Sequence, residues 1–229
     1  ELGVHFNRDI QQSYIAGCVS IFKDKTTEIG GAVKDSIKML DFVLENTSDL
    51  ELRIQANSYL ITMKIENTSE KDFVAISTEL DELLKQFGTS PFTLSLQLIQ
   101  AHFVAFNLKK PEEGRAIVKK ALELQLNDYE VADAKMELAD ILLYEEKFNQ
   151  ALIYYSQIEL DLKNDVMAHE ASLKAAKTSY FKTDFAWALK QFKELVADLI
   201  DMVTPHVGVW IETNVQATPV GPLNLRYRR

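Results

Sequence analysis

The sequence predicts an all-α fold of stacked antiparallel helix hairpins, followed by a non-repeat C-terminal tail. Apolar positions recur at helical spacing through most of the 229 residues. Only 8 glycines and 5 prolines interrupt the chain, which is rich in residues that lose little entropy in a helix. In addition, a set of packing residues recurs at a fixed interval of 37 residues. A fixed period of this size is typical of a helical-repeat array.

Short polar breaks divide the sequence into ten predicted helices. These cover residues 6–22, 30–45, 49–64, 70–87, 92–108, 111–124, 129–144, 147–160, 166–181 and 184–201. Because the connections are short, consecutive helices must pack antiparallel, so the chain is expected to form five stacked hairpins.

Several breaks contain residues that start helices. Residues 46–49, 67–70 and 88–91 place hydroxyl, carboxamide or carboxylate side chains immediately before an apolar run. Pro111 suits the first turn of a helix, where its missing N–H is not needed. These residues predict helix starts close to residues 49, 70, 91 and 111.

The repeat consists of small residues at matching places in successive hairpins. One set begins the second helix of each hairpin, at Gly114, Ala151 and Ala188, and each follows Pro111, Phe148 or Phe185 by three residues. A second set lies twelve residues upstream, at His102, Ala139 and Ala176, where His102 departs from the pattern. Small side chains at both places let two helices approach closely while the aromatic ring fills the adjacent space.

These residues resemble the tetratricopeptide repeat (TPR) family, whose helix A carries a small residue near its middle and whose helix B begins aromatic-x-x-Ala. The best matches run from residues 136–139 through Phe148 and Ala151 to Tyr155, and from residues 173–176 through Phe185 and Ala188 to Phe192. The resemblance is clear over residues 91–195, and residues 147–195 are also similar to TPR proteins of Bacteroidota.

The resemblance implies a right-handed superhelix, a TPR-like solenoid. The predicted organisation is degenerate helical-hairpin repeats over residues 1–90, TPR-like repeats over 91–202 and a non-repeat tail over 203–229. It also implies a non-enzymatic scaffold that binds a partner peptide or helix. The alternative is a regulatory domain of a longer protein that senses a peptide or another ligand.

In this family the inner face of helix A points toward a concave groove. The corresponding positions are Phe103, Phe106, Asn107, Asp140, Leu143, Tyr144, Lys177, Tyr180 and Phe181. Aromatic side chains at such positions would bury apolar groups of a partner, and polar ones would fix its backbone.

The tail, residues 203–229, has a different composition, with alternating Val, Thr, Pro and Gly and a basic end. One interpretation is an extended segment or hairpin on the last helix. A second is a basic interaction tail. The preferred interpretation is that residues 203–213 resemble the conceptual translation of a CRISPR direct repeat, so that the tail is not native coding sequence and packs poorly.

Composition excludes several classes of function. The net charge of −9 disfavours nucleic acid, because binding to phosphate backbones requires clustered Lys and Arg. No run of 18 or more apolar residues predicts a membrane span. Cys18 is expected to be a small core residue. The sequence begins at Glu1 instead of Met, which leaves a cytoplasmic or periplasmic location open.

No catalytic, metal or cofactor site is expected. The four histidines are far apart in sequence, and His102 is interpreted as a packed helix residue instead of a general base. The pair Gly30 and Gly31 lacks the further glycines or the Gly-Lys-Ser/Thr sequence of a phosphate-binding loop. The oligomeric state is left open by the sequence.

Overall fold

The computed structural model describes Ser13, Ile15 and residues 29–163 and 165–215, with side chains for residues 35–163 and 165–200 in the two ranges. The predicted helix 6–22 otherwise lies outside the described residues. Ser13 and Ile15 are both helical, and Ile15 is buried in a cluster with Leu40 and Leu52. The isolated position therefore already packs against the next hairpin.

Every regular element in the described ranges is helical, which confirms the predicted fold class. The helices are α1 (Ile29–Asn46), α2 (Leu50–Asn67), α3 (Phe73–Phe87), α4 (Leu94–His102), α5 (Pro111–Ala121), α6 (Asp128–Tyr144), α7 (Phe148–Asp161), α8 (Val166–Phe181) and α9 (Phe185–Val215). Short 3₁₀ turns, Glu70–Asp72 and Pro91–Thr93, precede α3 and α4, and a π-helical turn, Phe103–Asn107, continues α4.

Side-chain caps fix several helix starts. The Asp49 carboxylate accepts a hydrogen bond from the backbone N–H of Leu52 at 3.1 Å. At the start of α6, Asn127 and Glu130 form a reciprocal capping box, with bonds of 2.8 and 3.0 Å. Such caps satisfy backbone donors that have no partner within the helix. The predicted starts at Asp49 and Pro111 are confirmed.

The 37-residue period is visible in the turns within the hairpins. Lys109, Glu146 and Thr183 have φ values of 58°, 59° and 69°, and they are spaced by the repeat interval. This left-handed conformation ends a helix and lets the chain reverse. The same local geometry therefore closes the hairpins α4–α5, α6–α7 and α8–α9.

Alternate helices form an inner layer. Helices α2, α4, α6 and α8 each contact the next member of this set, in addition to their hairpin partners. Helices α5, α7 and α9 pack between or behind them and form the outer layer. This two-layer stacking places the exposed side chains of the inner helices along a common groove.

A core rich in small residues holds the last three hairpins together. Ala139 and Ala151 are fully buried where α6 crosses α7, and Ala176 is fully buried in α8. The largest ring in this core is that of Tyr155, which has no exposed surface. The predicted pairing of small residues with an aromatic filler is confirmed in these hairpins.

The hairpin α4–α5 differs because its first helix ends in the π turn. Leu108 N–H donates to the Phe103 carbonyl at 3.0 Å, five residues back, and Lys110 N–H donates to that of Val104, six back. In the next hairpin, Lys147 N–H reaches only five residues back, to Leu142. The π turn therefore contains one extra residue, which shifts the register of α4 upstream of it by one position.

This shift explains the departure of His102 from the repeat. Ala101, not His102, takes the small-residue place, and it is fully buried beside Gly114. His102 instead has a side chain that is 53% exposed. The prediction that His102 is a packed residue is therefore wrong.

The last helix differs from its predicted length. Helix α9 continues to Val215, so the expected helix end at residue 201 and the extended segment after it are not observed over residues 203–215. The predicted turn around residues 217–222 lies outside the described residues. Leu189, Val196 and Ile200 are exposed on this helix, although Leu152, the counterpart of Leu189 in α7, packs against the core.

Candidate partner-binding groove

An aromatic patch of three rings lies on the inner layer where α4 approaches α6. We use this name for His102, Phe106 and Tyr144. The ring centroids of His102 and Phe106 are 4.5 Å apart, and Phe106 meets Tyr144 edge-on at 5.1 Å. Tyr144 is 49% exposed, and Phe106 is half-buried beneath it. Ring contacts fix the orientation of Tyr144 while leaving it accessible to a partner.

A second aromatic group lies at the end of α8 and the start of α9. Tyr180 meets Phe181 and Phe185 with centroid distances of 6.0 and 5.3 Å, and all three side chains are exposed. The left-handed turn at Thr183 reverses the chain between them. This group extends the accessible aromatic surface to the last hairpin.

Asp140 links three helices between these two aromatic groups. Its carboxylate accepts a hydrogen bond of 2.6 Å from the Tyr155 hydroxyl of α7 and one of 2.5 Å from the Lys174 ammonium of α8. Burial and the Asp140 carboxylate raise the pKa of Tyr155 far above its usual range, so its hydroxyl remains a donor. Both carboxylate oxygens of Asp140 are thus used within the protein.

A recess of about 320 Å³ lies among α2, α4 and α6, beside the aromatic patch. Its lining includes Ile65, Glu66, Leu98, Ile99, His102 and Glu137. The His102 ring nitrogen Nδ1 lies 3.1 Å from a carboxylate oxygen of Glu137. The hydrogen bond to Glu137 raises the pKa of His102 above 6.5, although burial opposes the shift.

Carboxylates dominate the inner face of α6. Asp133, Glu137 and Asp140 follow one another at helical spacing, and Glu170 faces them from α8. Partial desolvation raises the pKa of Asp133, and the charges of Glu170 and Glu130 raise it further. Lys174 balances Asp140 and approaches Glu170 at 3.5 Å. The middle of the groove therefore has a negative potential.

The structure places the sequence-predicted residues in three different environments. Phe106 is half-buried in the aromatic patch, whereas Tyr144, Lys177 and Tyr180 are exposed. Asn107 is half-buried at the end of the π turn, and Asp140 is half-buried in the network with Tyr155.

Phe103 requires a correction, because its ring is fully buried and cannot contact a partner. It packs edge-on against Phe73 at 5.3 Å, in a cluster with Ile61, Ile76 and Leu80. The register shift of the π turn is the reason. His102 takes the groove position that corresponds to Asp140, and Phe103 takes the core position that corresponds to Ile141, which is also fully buried.

Sequence reasoning missed the recess and its carboxylate. Glu137 lies one turn before Asp140 on the same helix face, so helical spacing alone could have identified it. The apolar residues Ile65, Leu98 and Ile99 come from two helices that are far apart in sequence. No local pattern predicts that these side chains share one recess.

Neither chemistry nor membrane insertion is indicated by the described part of the chain. Within it, no group of three or more His, Cys, Asp or Glu residues is arranged to hold a metal ion. None of the helices searched there is both long enough and apolar enough to span a bilayer.

Comparison with known proteins shows a TPR-like fold. No protein-family model and no curated protein matches the sequence. Among solved structures, PlcR of Bacillus thuringiensis, in complex with the peptide PapR7 and DNA, is similar with a TM-score of 0.65 and 13% identity. The match covers 88% of this chain and 74% of that chain.

A second similar structure contains TPR-like repeats of a kinesin light chain from Podosopora anserina. It has a TM-score of 0.60 and 14% identity, over 83% of this chain and 95% of that chain. At these identities the similarity concerns the fold, which is a solenoid of TPR-like helical hairpins.

Proposed function

We propose that this chain is a non-enzymatic interaction scaffold whose groove binds a peptide or helical segment of a partner protein. The observation that carries the proposal is the aromatic patch, where Tyr144 is exposed on the inner layer and held by Phe106. Accessible aromatic anchors in a concave surface are typical centres of binding energy. Asn107, Lys177 and Tyr180 extend the proposed surface along the groove.

A ligand-sensing regulatory domain of a longer protein is the second candidate. The similarity to PlcR, whose structure contains a bound peptide, supports it. In such a domain, binding of a peptide would change the curvature of the solenoid and act on an attached effector domain. The two candidates share the same groove, and they differ in whether an output domain adjoins it.

The double variant Tyr144→Ala, Tyr180→Ala is expected to weaken peptide binding by roughly tenfold or more, because it removes both exposed aromatic anchors. The probes are peptides selected from a random displayed library on the wild-type chain, with affinity measured by fluorescence anisotropy. Circular dichroism establishes that the variant stays folded.

Trp187→Ala provides the matched control. Trp187 is 47% exposed, close to the value for Tyr144, but it lies on the outer helix α9 beneath Lys190. Its removal is expected to leave affinity unchanged. If the double variant binds the selected peptides as tightly as the wild type, or if selection yields no binding peptide, the proposed function is wrong.

We also propose that residues 203–229 lie outside the interaction module. The supporting observation is compositional: the segment resembles a translated CRISPR direct repeat, and the TPR resemblance ends before it, at residue 195. The similarity of residues 147–195 to TPR proteins of Bacteroidota supports a bacterial origin for the repeats.

A chain that ends at Met202 is accordingly expected to melt within about 2 °C of the full chain, since surface changes alter stability by about 0.5 kcal/mol or less. Differential scanning calorimetry of both chains measures the difference. A fall of about 5 °C or more would show that residues after 202 pack against the repeats.

A further inference from the structure

The recess among α2, α4 and α6 has an apolar floor. Ile65 and Ile99 pack against the buried cluster around Phe103, and Leu98 packs against the larger core around Ala101. All three side chains are half-buried and therefore keep accessible surface toward the recess. Because they are anchored in two cores, they form a rigid wall for an alkyl chain.

Two carboxylates line the same recess. Glu66 is exposed at the end of α2, and Glu137 of α6 has a side chain that is only 15% exposed. Nδ1 of His102 lies 3.1 and 3.4 Å from the two carboxylate oxygens of Glu137. One ring nitrogen donates a single hydrogen bond, whereas a carboxylate offers about four acceptor positions. Glu137 therefore has acceptor capacity left for a ligand.

The surrounding charge favours a cation. Asp133 and Glu170 add negative charge along the inner layer, and the carboxylates around Asp133 raise its pKa. The nearest ammonium, Lys174, is bound by Asp140 and lies near Glu170. A positive ligand group in the recess would therefore meet attraction from several directions.

We propose that this recess is the subsite for an arginine side chain of the partner segment, an inference that rests on the proposed function. The methylene groups of the arginine would lie on Ile65, Leu98 and Ile99, and its guanidinium would bind the carboxylates of Glu137 and Glu66. Arginine combines an apolar stem with a charged, planar head, so it matches a recess with an apolar floor and an acidic rim.

Other side chains fit the recess less well. A leucine or methionine would fill the apolar floor but would remove water from Glu137 without replacing its hydrogen bonds. An acidic side chain would be repelled by both carboxylates. Lysine would carry the right charge, but its ammonium is more strongly hydrated and lacks the planar fork that pairs with carboxylates. The partner is thus expected to be a segment with arginine as its anchor.

The test is a random peptide library selected in parallel on the full wild-type chain and on Glu137→Gln. Wild-type selections are expected to enrich arginine at one fixed position, and Glu137→Gln selections are expected to lose that preference. For the best wild-type peptide, replacing this arginine by citrulline, its neutral analogue, is expected to weaken binding by about tenfold. On Glu137→Gln the same replacement is expected to have little effect.

Glu159→Gln is the matched control, because it removes the same charge from an exposed position on the outer helix α7. If it abolished the arginine preference as well, the effect would be one of overall charge and the subsite would be refuted. If peptides bind through Tyr144 and Tyr180 but carry no fixed arginine, the subsite is wrong while the proposed function stands. If no peptide binds, the proposed function fails first.

The affinity of the arginine peptide should also depend on pH. The charged groups near His102 are Glu137 and Asp140 from α6, Lys174 from α8 and Glu66 across the recess. Since the pKa of His102 lies above 6.5, its protonation at about pH 6 would neutralise Glu137, and affinity should rise toward about pH 8. His102→Gln should remove this rise, and a rise that persists in the variant would argue against the arrangement.

Discussion

Gly114→Leu is expected to lower the free energy of unfolding by about 3 kcal/mol or more, because the site cannot hold even a Cβ atom. A Cβ built on Gly114 would lie 2.7 Å from the Ala101 carbonyl oxygen and 2.8 Å from the Ala105 Cβ. Neither neighbour can rotate away, since one is backbone and the other is a methyl group. To accommodate a side chain, α4 and α5 must move apart.

Ala116→Leu serves as the control for this prediction. Ala116 is exposed on the same helix, and leucine is a good helix former, so this variant should match the wild type within about 0.5 kcal/mol. Urea denaturation followed by circular dichroism compares the two variants. Equal midpoints for Gly114→Leu and the wild type would show that the helices do not pack as closely as described.

Asp140→Ala is expected to cost about 2 to 3 kcal/mol, because it leaves the buried Tyr155 hydroxyl without its acceptor and Lys174 without its partner. The estimate is kept below the value for a fully buried pair, since Asp140 and Lys174 retain about a quarter of their exposure. The network joins α6, α7 and α8, so its loss loosens two helix interfaces together.

Asp161→Ala is the matched control for Asp140→Ala. Asp161 pairs with Lys135 at 2.9 Å, but its side chain is largely exposed, so its removal should cost below about 1 kcal/mol. In the Asp140→Ala background, the further change Tyr155→Phe should cost little, since the hydroxyl already lacks its acceptor. Additive effects of the two changes would indicate that the hydroxyl and the carboxylate act independently.

The Asp140 result also affects how the groove is interpreted. The sequence pattern assigned Asp140 to partner contact, and the structure instead commits both of its oxygens to Tyr155 and Lys174. A loss of binding in an Asp140 variant would therefore need a stability measurement beside it. Tyr144, whose removal opens no buried site, is the cleaner probe of the groove.

Local chemistry determined most of the secondary structure. Capping side chains at Asp49 and Asn127 and the proline at Pro111 fixed where helices begin, and each acts within a few residues of chain. The 37-residue repeat determined that hairpins stack in register, because small residues at Ala139 and Ala151 allow close packing wherever they recur. Information of this kind is local or periodic, so the sequence carries it openly.

Three features were decided only by tertiary structure. The extra residue in the π turn exchanged the roles of His102 and Phe103, since the hydrogen-bonding register of α4 depends on packing against neighbouring helices. Helix α9 continued through residues 203–215, whose sequence did not predict a helix. The recess arose where Ile65, Ile99 and Glu137 met from three helices. Spacing along one chain cannot show such a meeting, because it depends on how far and at what register successive helices approach each other.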